Sequence, residues 1–398
     1  MVDLKFVELG DIAEVTMGQS PKSEYYNTDK EGLPFLQGNK TFGFKYPSFD
    51  MYTSSITKIA KKDSILMSVR APVGDLNIAS EDLCIGRGLC SLNMKNDNNN
   101  FLYYLLKFNL PNLLNRESGT VFGSINKKDI ETLEVAIPKE ESIQYKIVDI
   151  LLSIDNLIII LKKINHNLDL ILDNIFKKMF IDKCSENRIP DNWSMKKIGD
   201  LPLIITDYVA NGSFASLKKN VTIFDHEDYA YFIRNTDLKT NSFERFVDEH
   251  SYNFLKKSSL FGNEVIISNV GDVGSIFLCP FLDKPMTLGN NMILVKSELN
   301  NVNLNYYIYL LFKSSFGQYL LNSITSGSVQ LKFNKTDFKS LKLTFPPYEY
   351  IDRFNNLTQP IFKEKNILTA EINKLTNLRD TLLPKLMSGE IDVSKIEV

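Results

Sequence analysis

The sequence has few of the residues that usually carry catalysis or bind metals. Its 398 residues include only four cysteines and three histidines. The cysteines have no metal-ligand spacing and are too few for a disulfide framework in a chain of this length. The histidines are scattered, and one falls in a helical stretch. We therefore predict no metal site and no histidine-based catalysis.

The chain also lacks an excess of charge and a long uninterrupted apolar run. Lys and Arg number 46 against 48 Asp and Glu, which gives a net charge of −2. A domain that grips nucleic acid by itself is usually basic, so any such contact must be local or shared with a partner. The apolar stretches are interrupted by Asp, Asn and Lys, and none has the form of an export signal. We expect a cytoplasmic protein with no membrane contact.

Cofactor motifs are absent from the sequence as well. It has no glycine-rich nucleotide loop and no Walker-type phosphate loop, so we predict no cofactor. Phe345-Pro346-Pro347-Tyr348 is similar to the Asp/Asn-Pro-Pro-Tyr/Phe loop of amino-methyltransferases. The acidic or amide residue of that loop accepts a hydrogen bond, which Phe345 cannot do. We interpret the segment as a strand-to-helix corner and predict no catalytic residue.

The chain does have a long stretch of helical periodicity, between Ile143 and Met179. Ile and Leu recur there at steps of four and three, which is the 3.5-residue period of a coiled-coil seam. The seam positions are Ile143, Ile147, Ile150, Ile154, Leu157, Leu161, Ile164, Leu168, Ile171 and Ile175. One such stripe alone is better explained as a core helix of an ordinary domain. A second stripe near the end of the chain changes that interpretation.

The second stripe extends from about Ile361 to Leu386. Its seam positions are Ile361, Leu368, Ile372, Leu375, Leu382 and Leu386, and they are interrupted by Lys365 and Arg379. Two stripes of this length predict an intramolecular antiparallel helix pair. Pro360 has no counterpart in the first stripe, so we expect a late start or a kink there.

The two stripes belong to a tandem repeat of the whole chain. Ile65-Leu66-Met67-Ser68 matches Val265-Ile266-Ile267-Ser268. Ser118-Gly119-Thr120-Val121 matches Ser326-Gly327-Ser328-Val329, and the same offset carries the first stripe onto the second. Each half also contains short β-like runs and one apolar helix. A mixed α/β unit is therefore expected before each long helix.

These patterns predict an α+β protein with a duplicated architecture. Two similar mixed α/β domains are separated by a long antiparallel two-helix coiled coil, with pseudo-two-fold symmetry. The predicted domains are residues 1–140 and 185–348, and the predicted long helical segments are residues 141–184 and 349–398.

Polar side chains that can address DNA base edges end the β-like runs of both halves. Arg pairs bidentately with guanine, and Asn or Gln with adenine. The candidates are Gln37, Asn39, Lys40, Arg70 and Arg87 in the first half and Arg234, Asn235, Asn269, Asn290 and Asn291 in the second. Taken singly, each is better explained as a solvated turn residue. Together they occupy repeat-equivalent positions with different identities, as expected of two related domains that contact different sequences.

With these motifs the chain resembles the specificity subunits of type I restriction-modification enzymes over essentially its whole length. The segments that carry the resemblance are SGTVFGSINKKDIETLEVAIP, IPDNW and LRDTLLPKLMSGEIDV. The resemblance implies two target-recognition domains that each contact one half of a bipartite, non-palindromic site in double-stranded DNA. It also implies two docked methylation subunits and, in the complete enzyme, two restriction subunits. The subunit itself is then expected to be non-catalytic.

A further expectation concerns the helix pair. Ile158 and Ile159 are apolar residues that the predicted seam leaves over, so we predict that they bind the methylation subunits. The specificity subunit of a two-subunit type II enzyme remains an alternative. A methyltransferase or nuclease with an unrecognised site and a helical scaffold without a DNA role also stay open.

Overall fold

The computed structural model describes residues 2–115, 123–184, 190–298 and 303–394. The chain forms two compact units. Unit 1 contains Met1–Lys162 and Glu371–Val398, and unit 2 contains Lys163–Ala370. Each unit therefore combines a globular part with a segment of both long helices. The repeat motif Ser118-Gly119-Thr120-Val121 lies outside the described residues.

Unit 1 is built on three small sheets. Its strands are β1 (Leu4–Glu8), β2 (Ala13–Met17), β3 (Tyr26–Asn27), β4 (Leu33–Leu36), β5 (Tyr52–Thr53), β6 (Ile59–Ala60), β7 (Ile65–Ser68), β8 (Leu76–Ile78), β9 (Leu83–Ile85), β10 (Leu89–Met94) and β11 (Glu134–Pro138). The sheet orders are β1-β11, β2-β10-β7-β8 and β3-β5-β4-β9-β6. The short helices are α1 (Leu9–Ile12), α2 (Asn99–Leu114) and α3 (Lys127–Glu131).

Local sequence explains several of these elements. Strand β7 is buried on both faces, which matches its uninterrupted apolar run. Asn98 caps α2 by accepting a hydrogen bond from the N–H of Phe101. Asn126 and Asp129 form a reciprocal capping box at the start of α3.

The first long helix, α4, extends over Glu141–Phe176. A π-helical turn, Lys177–Ile181, and the short helix α5 (Asp182–Cys184) continue it. The helix starts just after Pro138, where the fixed φ angle of proline does no harm to helical hydrogen bonds.

Unit 2 repeats the topology of unit 1. Its strands are β12 (Ser194–Lys197), β13 (Leu203–Asp207), β14 (Ile223–Phe224), β15 (Ala230–Ile233), β16 (Phe246–Val247), β17 (Ser259–Leu260), β18 (Val265–Ser268), β19 (Ile276–Leu278), β20 (Met286–Leu288), β21 (Met292–Ser297) and β22 (Lys342–Phe345). The sheet orders are β12-β22, β13-β21-β18-β19 and β14-β16-β15-β20-β17. Element by element, these orders match those of unit 1, so the predicted duplication of mixed α/β units is confirmed.

The helices of unit 2 follow the same plan with more short pieces. They are α6 (Phe214–Asn220), α7 (Asn235–Thr240), α8 (Glu249–Phe254), α9 (Asn305–Lys313), α10 (Ser315–Ile324) and α11 (Lys335–Ser340). The second long helix, α12, extends over Tyr348–Met387, and Gly389 with φ of +72° follows it in the left-handed conformation of a helix C-cap.

Of the late start or kink expected at Pro360, the late start is wrong, because α12 begins twelve residues earlier at Tyr348. Phe354, Thr358 and Phe362 are buried on the turns around Pro360. This burial on both sides of the proline offsets the hydrogen bond that Pro360 cannot donate.

The helices run antiparallel within each unit. In unit 1, Asp155 of α4 contacts Arg379 of α12, and Lys146, farther toward the start of α4, contacts Ser394 beyond the end of α12. In unit 2, the corresponding contacts join Asn165 to Thr369 and Asp169 to Lys365. The predicted intramolecular antiparallel pairing is thus confirmed in both units.

The predicted seam of α4 is correct at Ile143 and Ile147, which are buried, but is one residue out of register beyond them. The buried positions there are Val148, Leu151, Asp155 and Ile158 in unit 1, and Leu172 and Phe176 in unit 2. Each is one residue beyond a predicted seam position, while Leu157, Ile164 and Ile171 are more than 40% exposed. The predicted register contains only Ile and Leu. The structure instead buries the carboxylate of Asp155 on this face and pairs it with Arg379.

The predicted seam of α12 is confirmed, with a different role for its two interruptions. Leu368, Ile372, Leu375 and Leu386 are buried. Lys365 and Arg379 lie on the same face, and each forms an ion pair with an aspartate of α4. The interruptions are therefore the polar contacts of the seam.

Candidate nucleic-acid interface

In unit 1, the predicted base-contacting residues lie at one edge of the globular part. Strands β4 and β9 are parallel, so their carboxyl ends, and with them Gln37 and Arg87, meet at the same edge. The N–H of Gly88 donates to the carbonyl of Gln37 at 3.1 Å, and the N–H of Val69 donates to the carbonyl of Gly88 at 2.9 Å. Arg70 follows directly. We call this set of loops, residues 37–41, 69–75 and 86–88, the first recognition edge.

Glycines allow the loops of this edge to touch. A Cβ atom at Gly86 would lie 2.7 Å from Oε1 of Gln37, and one at Gly88 would lie 2.5 Å from the carbonyl oxygen of Gln37. A side chain at either position would push the loops apart. The two glycines therefore place Arg87 beside Gln37.

Hydrogen bonds orient two of the candidate side chains. Ser20 donates to Oε1 of Gln37 at 2.9 Å and accepts from the N–H of Arg87 at 3.1 Å. Asn39 donates to Asp75 at 2.5 Å, which joins loop 37–41 to loop 69–75. The exposed cations of the edge are Lys40, Arg70 and Arg87.

Unit 2 has a second recognition edge at the equivalent place. Strands β15 and β20 are parallel, so Arg234 and Asn290 follow strand ends at the same edge. The N–H of Asn269, after β18, donates to the carbonyl of Asn291 at 3.1 Å. This is the same backbone connection as in unit 1. The edge comprises residues 234–235, 269–275 and 289–291.

Two candidate side chains of the second edge, Arg234 and Asn235, form hydrogen bonds within the protein. The guanidinium of Arg234 is held by Asp237, whose side chain is almost fully buried. Its hydrogen bond with Asp237 raises the pKa of Arg234. Asn235 donates to Asp272 at 3.0 Å. The contacts of Arg234 and Asn235 with Asp237 and Asp272 therefore stabilise the conformation of this edge.

Only part of the predicted set in unit 2 faces solvent freely. The side chain of Asn269 donates to the carbonyl of Phe333 at 2.9 Å and is half-buried. Asn290 and Asn291 are exposed, and Asn291 has a φ of +63°. Asparagine tolerates this left-handed conformation better than most residues. Asn290 and Asn291 are thus the most exposed side chains of the predicted set in unit 2.

An anionic residue organises the second edge. Burial alone would raise the pKa of Asp272, but hydrogen bonds from Lys239, Ser275 and Asn235 outweigh it and lower the pKa to about 2. Asp272 is therefore ionised at neutral pH. It holds loop 269–275 against α7 and keeps Asn235 in place.

A further loop at the second edge was missed as a candidate. Ser326 pairs with Lys332 across a tight turn, and Val270 pairs with Lys332 from the other side. The exposed polar residues of this loop are Ser326, Ser328, Gln330 and Lys332. The Ser-Gly-Ser-Val motif, which repeats the Ser-Gly-Thr-Val motif of the first half, is the sequence signal that could have placed this loop in the candidate set.

The two predicted partner-binding residues, Ile158 and Ile159, differ in their exposure to solvent. Ile158 is fully buried in a cluster with Ile372 and Leu375, so it is not on the outer face of α4 as we predicted. The physical reason is the register shift, which moves this position into the seam. Ile159 is half-buried. Exposed apolar residues of α4 in this region of unit 1 are instead the neighbouring Leu157 and Ile160.

Two observations bear on other classes of function. Among the described residues, no group of three His, Cys, Asp or Glu side chains is close enough to hold a metal ion. In the described part of the chain, no helix combines the length and the hydropathy needed to cross a membrane.

The structure is that of a duplicated α/β protein in which each unit presents one polar loop edge and contributes to a long helix pair. The family model of the type I restriction modification DNA specificity domain matches residues 1–170 and 190–374. The chain therefore belongs to this family, and the resemblance found in the sequence is confirmed.

Individual relatives agree with the family match. The putative type I restriction enzyme MjaX specificity subunit of Methanocaldococcus jannaschii is 44% identical over 165 residues. That match spans 40% of this chain and only 39% of the relative. The type I restriction enzyme MjaIX specificity subunit of the same organism is 26% identical, over 98% of this chain and 94% of the relative.

A solved structure supports the fold. The type I restriction-modification S subunit from M. genitalium is 16% identical, with a TM-score of 0.58 over 97% of this chain and 96% of that chain. At this identity the likeness concerns the fold alone, and it extends over both units.

Proposed function

We propose that this chain is the DNA-recognition subunit of a type I restriction-modification enzyme and that it contacts a bipartite, non-palindromic site. The observation that carries the proposal is the pair of recognition edges. They follow the same strand ends in both units but present different side chains. Residues 1–140 and 185–348 would be the two target-recognition domains, acting on DNA in the cytoplasm.

The chemistry of each edge suits base contacts in the major groove. Arg70 and Arg87 can each donate two hydrogen bonds to guanine, and Gln37 can pair with adenine. In unit 2, Asn290 and Asn291 can pair with adenine. Lys40 and Lys332 are suited to phosphate contacts, which fix position without selecting sequence.

The near-neutral charge of the chain suggests that it needs partner proteins to bind DNA tightly. With 46 basic and 48 acidic residues, it offers few uncompensated phosphate contacts. We propose that two methylation subunits complete the grip on DNA and carry out the chemistry, and that two restriction subunits join the same assembly. Ile159 and the exposed Leu157 and Ile160 are candidate contacts for the methylation subunits.

Selection from random DNA duplexes tests the proposal. The full-length chain, purified together with the proteins that accompany it, should enrich one split site with two unlike halves. The affinity for that site should fall steeply with salt, and the chain freed of its partners should bind much more weakly. Enrichment of no sequence, or of a single continuous site, would refute the proposed function. Transfer of a methyl group by the isolated chain would favour a fused methyltransferase.

A further inference from the structure

The first recognition edge is connected to the long helices through a short loop, residues 42–46, which we call the anchoring loop. It begins two residues after Lys40. The N–H of Phe42 donates to the carbonyl of Asn39 at 3.0 Å, and the N–H of Ser48 donates to the carbonyl of Thr41 at 3.0 Å. These bonds close the base of the loop, so a shift of the loop is transmitted directly to the edge.

Phe44 attaches the anchoring loop to both long helices of unit 1. Its side chain packs against the cluster formed by Ile158 and Ile372. Nζ of Lys162, on α4, lies 4.0 Å from the centroid of the Phe44 ring, and Cζ of Arg379, on α12, lies 5.4 Å from it. Both distances are within cation–π range. One aromatic ring thus contacts a cation from each helix.

Lys45 provides a second attachment. Its side chain is almost fully buried, and Nζ lies 3.8 Å from Oδ2 of Asp155 on α4. Burial lowers the pKa of Lys45, and the attraction of Asp155 opposes that effect. Asp155 also accepts hydrogen bonds from Tyr104 at 2.6 Å and from Arg379 at 3.1 Å. A buried lysine of the globular part therefore shares one carboxylate with both helices.

The other side of the anchoring loop is fixed to the sheet. The side chain of Asn77, in β8, donates to the carbonyl of Gly43 at 2.9 Å and accepts from its N–H at 3.2 Å. The N–H of Ile78 donates to the carbonyl of Lys45 at 2.8 Å. The loop is therefore a rigid connection between sheet and helices. In unit 2, the segment after β15 instead forms α7. Phe243, just beyond α7, packs against the cluster that contains Ile233 within the globular part.

We propose that Phe44 and Lys45 are positioning residues that fix the orientation of the first recognition edge on the helix pair. They thereby fix the position along the DNA and the angle around its axis at which the edge can bind its half-site. The inference rests on the proposed function. A change of one base pair in the spacer moves a half-site by about 3.4 Å and rotates it by about 34°. If the first recognition edge is held firmly, it binds such a displaced half-site weakly. If the edge is loosened, it can shift with the half-site and keep more of the affinity.

The experiment measures binding against spacer length. The split site selected by the wild-type complex is rebuilt with its own spacer and with spacers one base pair longer and shorter. We expect the wild-type complex to lose about tenfold in affinity for either altered spacer. Phe44→Ala and Lys45→Met should keep both half-site sequences but lose less than about threefold. Lys45→Met keeps the volume of the side chain, so it decides the test if Phe44→Ala does not fold.

A matched control separates positioning from stability. Phe49 lies just beyond the anchoring loop and packs against the sheet cluster around Leu36 and Leu66. Phe49→Ala should lower thermal stability and leave the spacer preference sharp. A folded Phe44→Ala or Lys45→Met complex with the wild-type spacer profile would overturn the inference alone. Failure of the wild-type complex to select a split site would overturn the proposed function and the inference with it.

Discussion

Asp155 shows how a single buried carboxylate can join three parts of a unit. Its side chain is 1% exposed and is contacted by Tyr104, Lys45 and Arg379. A buried charge is costly unless it is paired and hydrogen-bonded. Burial opposes the charge of Arg379, but hydrogen bonds with Asp380 and Asp155 outweigh it and raise the pKa of Arg379. The cluster is therefore sensitive to the loss of any one partner.

Removal of Arg379 should destabilise unit 1. Arg379→Met keeps much of the side-chain volume but leaves Asp155 with only Lys45 as a cationic partner. Breaking a buried ion pair from one side costs about 3–5 kcal/mol, and we expect a loss near the lower limit because Lys45 remains. Urea unfolding measures the loss. Lys365→Met is the matched control, since its pair with Asp169 is more exposed and should contribute about 0–1 kcal/mol. Equal losses in the two variants would contradict this account.

Arg87 and Asn290 form a natural pair for testing base contacts at the level of single residues. Each is exposed and follows a glycine, Gly86 or Gly289, at the end of equivalent parallel strands. Arg87→Ala should relax a guanine preference in one half-site, and Asn290→Ala should relax an adenine preference in the other. Each should cost about 1–3 kcal/mol of discrimination. Site selection with each variant gives the readout. Relaxation of both half-sites by one substitution would assign that residue to phosphate contact or to structure.

At the scale of elements, the sequence predicted the helices better than their contacts. The apolar period of α12 identified the correct face, because Leu368, Ile372 and Leu375 define it without competition. On α4, two neighbouring stripes are both largely apolar, and the stripe that is buried contains Asp155. A seam with an aspartate is unfavourable unless the carboxylate is paired. The partner that makes it favourable, Arg379, is more than two hundred residues away.

The recognition edges were predictable for the same reason that the strands were. Gln37 and Asn290 follow apolar runs that end in turn residues, and parallel pairing brings such ends together. The engagement of Arg234 by Asp237 was not predictable from their spacing alone, because an i,i+3 pair can equally face solvent. The anchoring loop gave no periodic signal, since its residues act singly. Its contacts depend on long-range packing that sequence patterns do not encode.

At the scale of the whole molecule, the duplication gives each unit one recognition edge and a segment of both long helices. Each long helix contributes to both units, since α4 is divided after Lys162 and α12 after Ala370. Under the proposed function, the half-site centres should be about one turn of DNA, roughly 10 base pairs, apart. The length of the helices should then set the number of unread base pairs in the spacer.

Lengthening both helices together should lengthen the spacer. Four residues inserted after both Lys163 and Glu371 add about 6 Å and a rotation of about 40° to each helix. One base pair adds about 3.4 Å and about 34°. If the helix pair runs alongside the DNA, the variant should select the same two half-sites with one or two additional spacer base pairs. Site selection from random duplexes measures this directly.

Insertion in one helix provides the control for this experiment. Four residues after Lys163 alone displace Asp169 from Asp155 along α4, while Lys365 and Arg379 keep their spacing on α12. The two ion pairs, Asp155–Arg379 and Asp169–Lys365, then cannot both form with unchanged geometry. This variant should lose stability and its sharp site preference. If the doubly lengthened chain is folded and keeps the original spacer, the helix pair does not determine the distance between the half-sites, and the recognition edges must be held apart by other contacts.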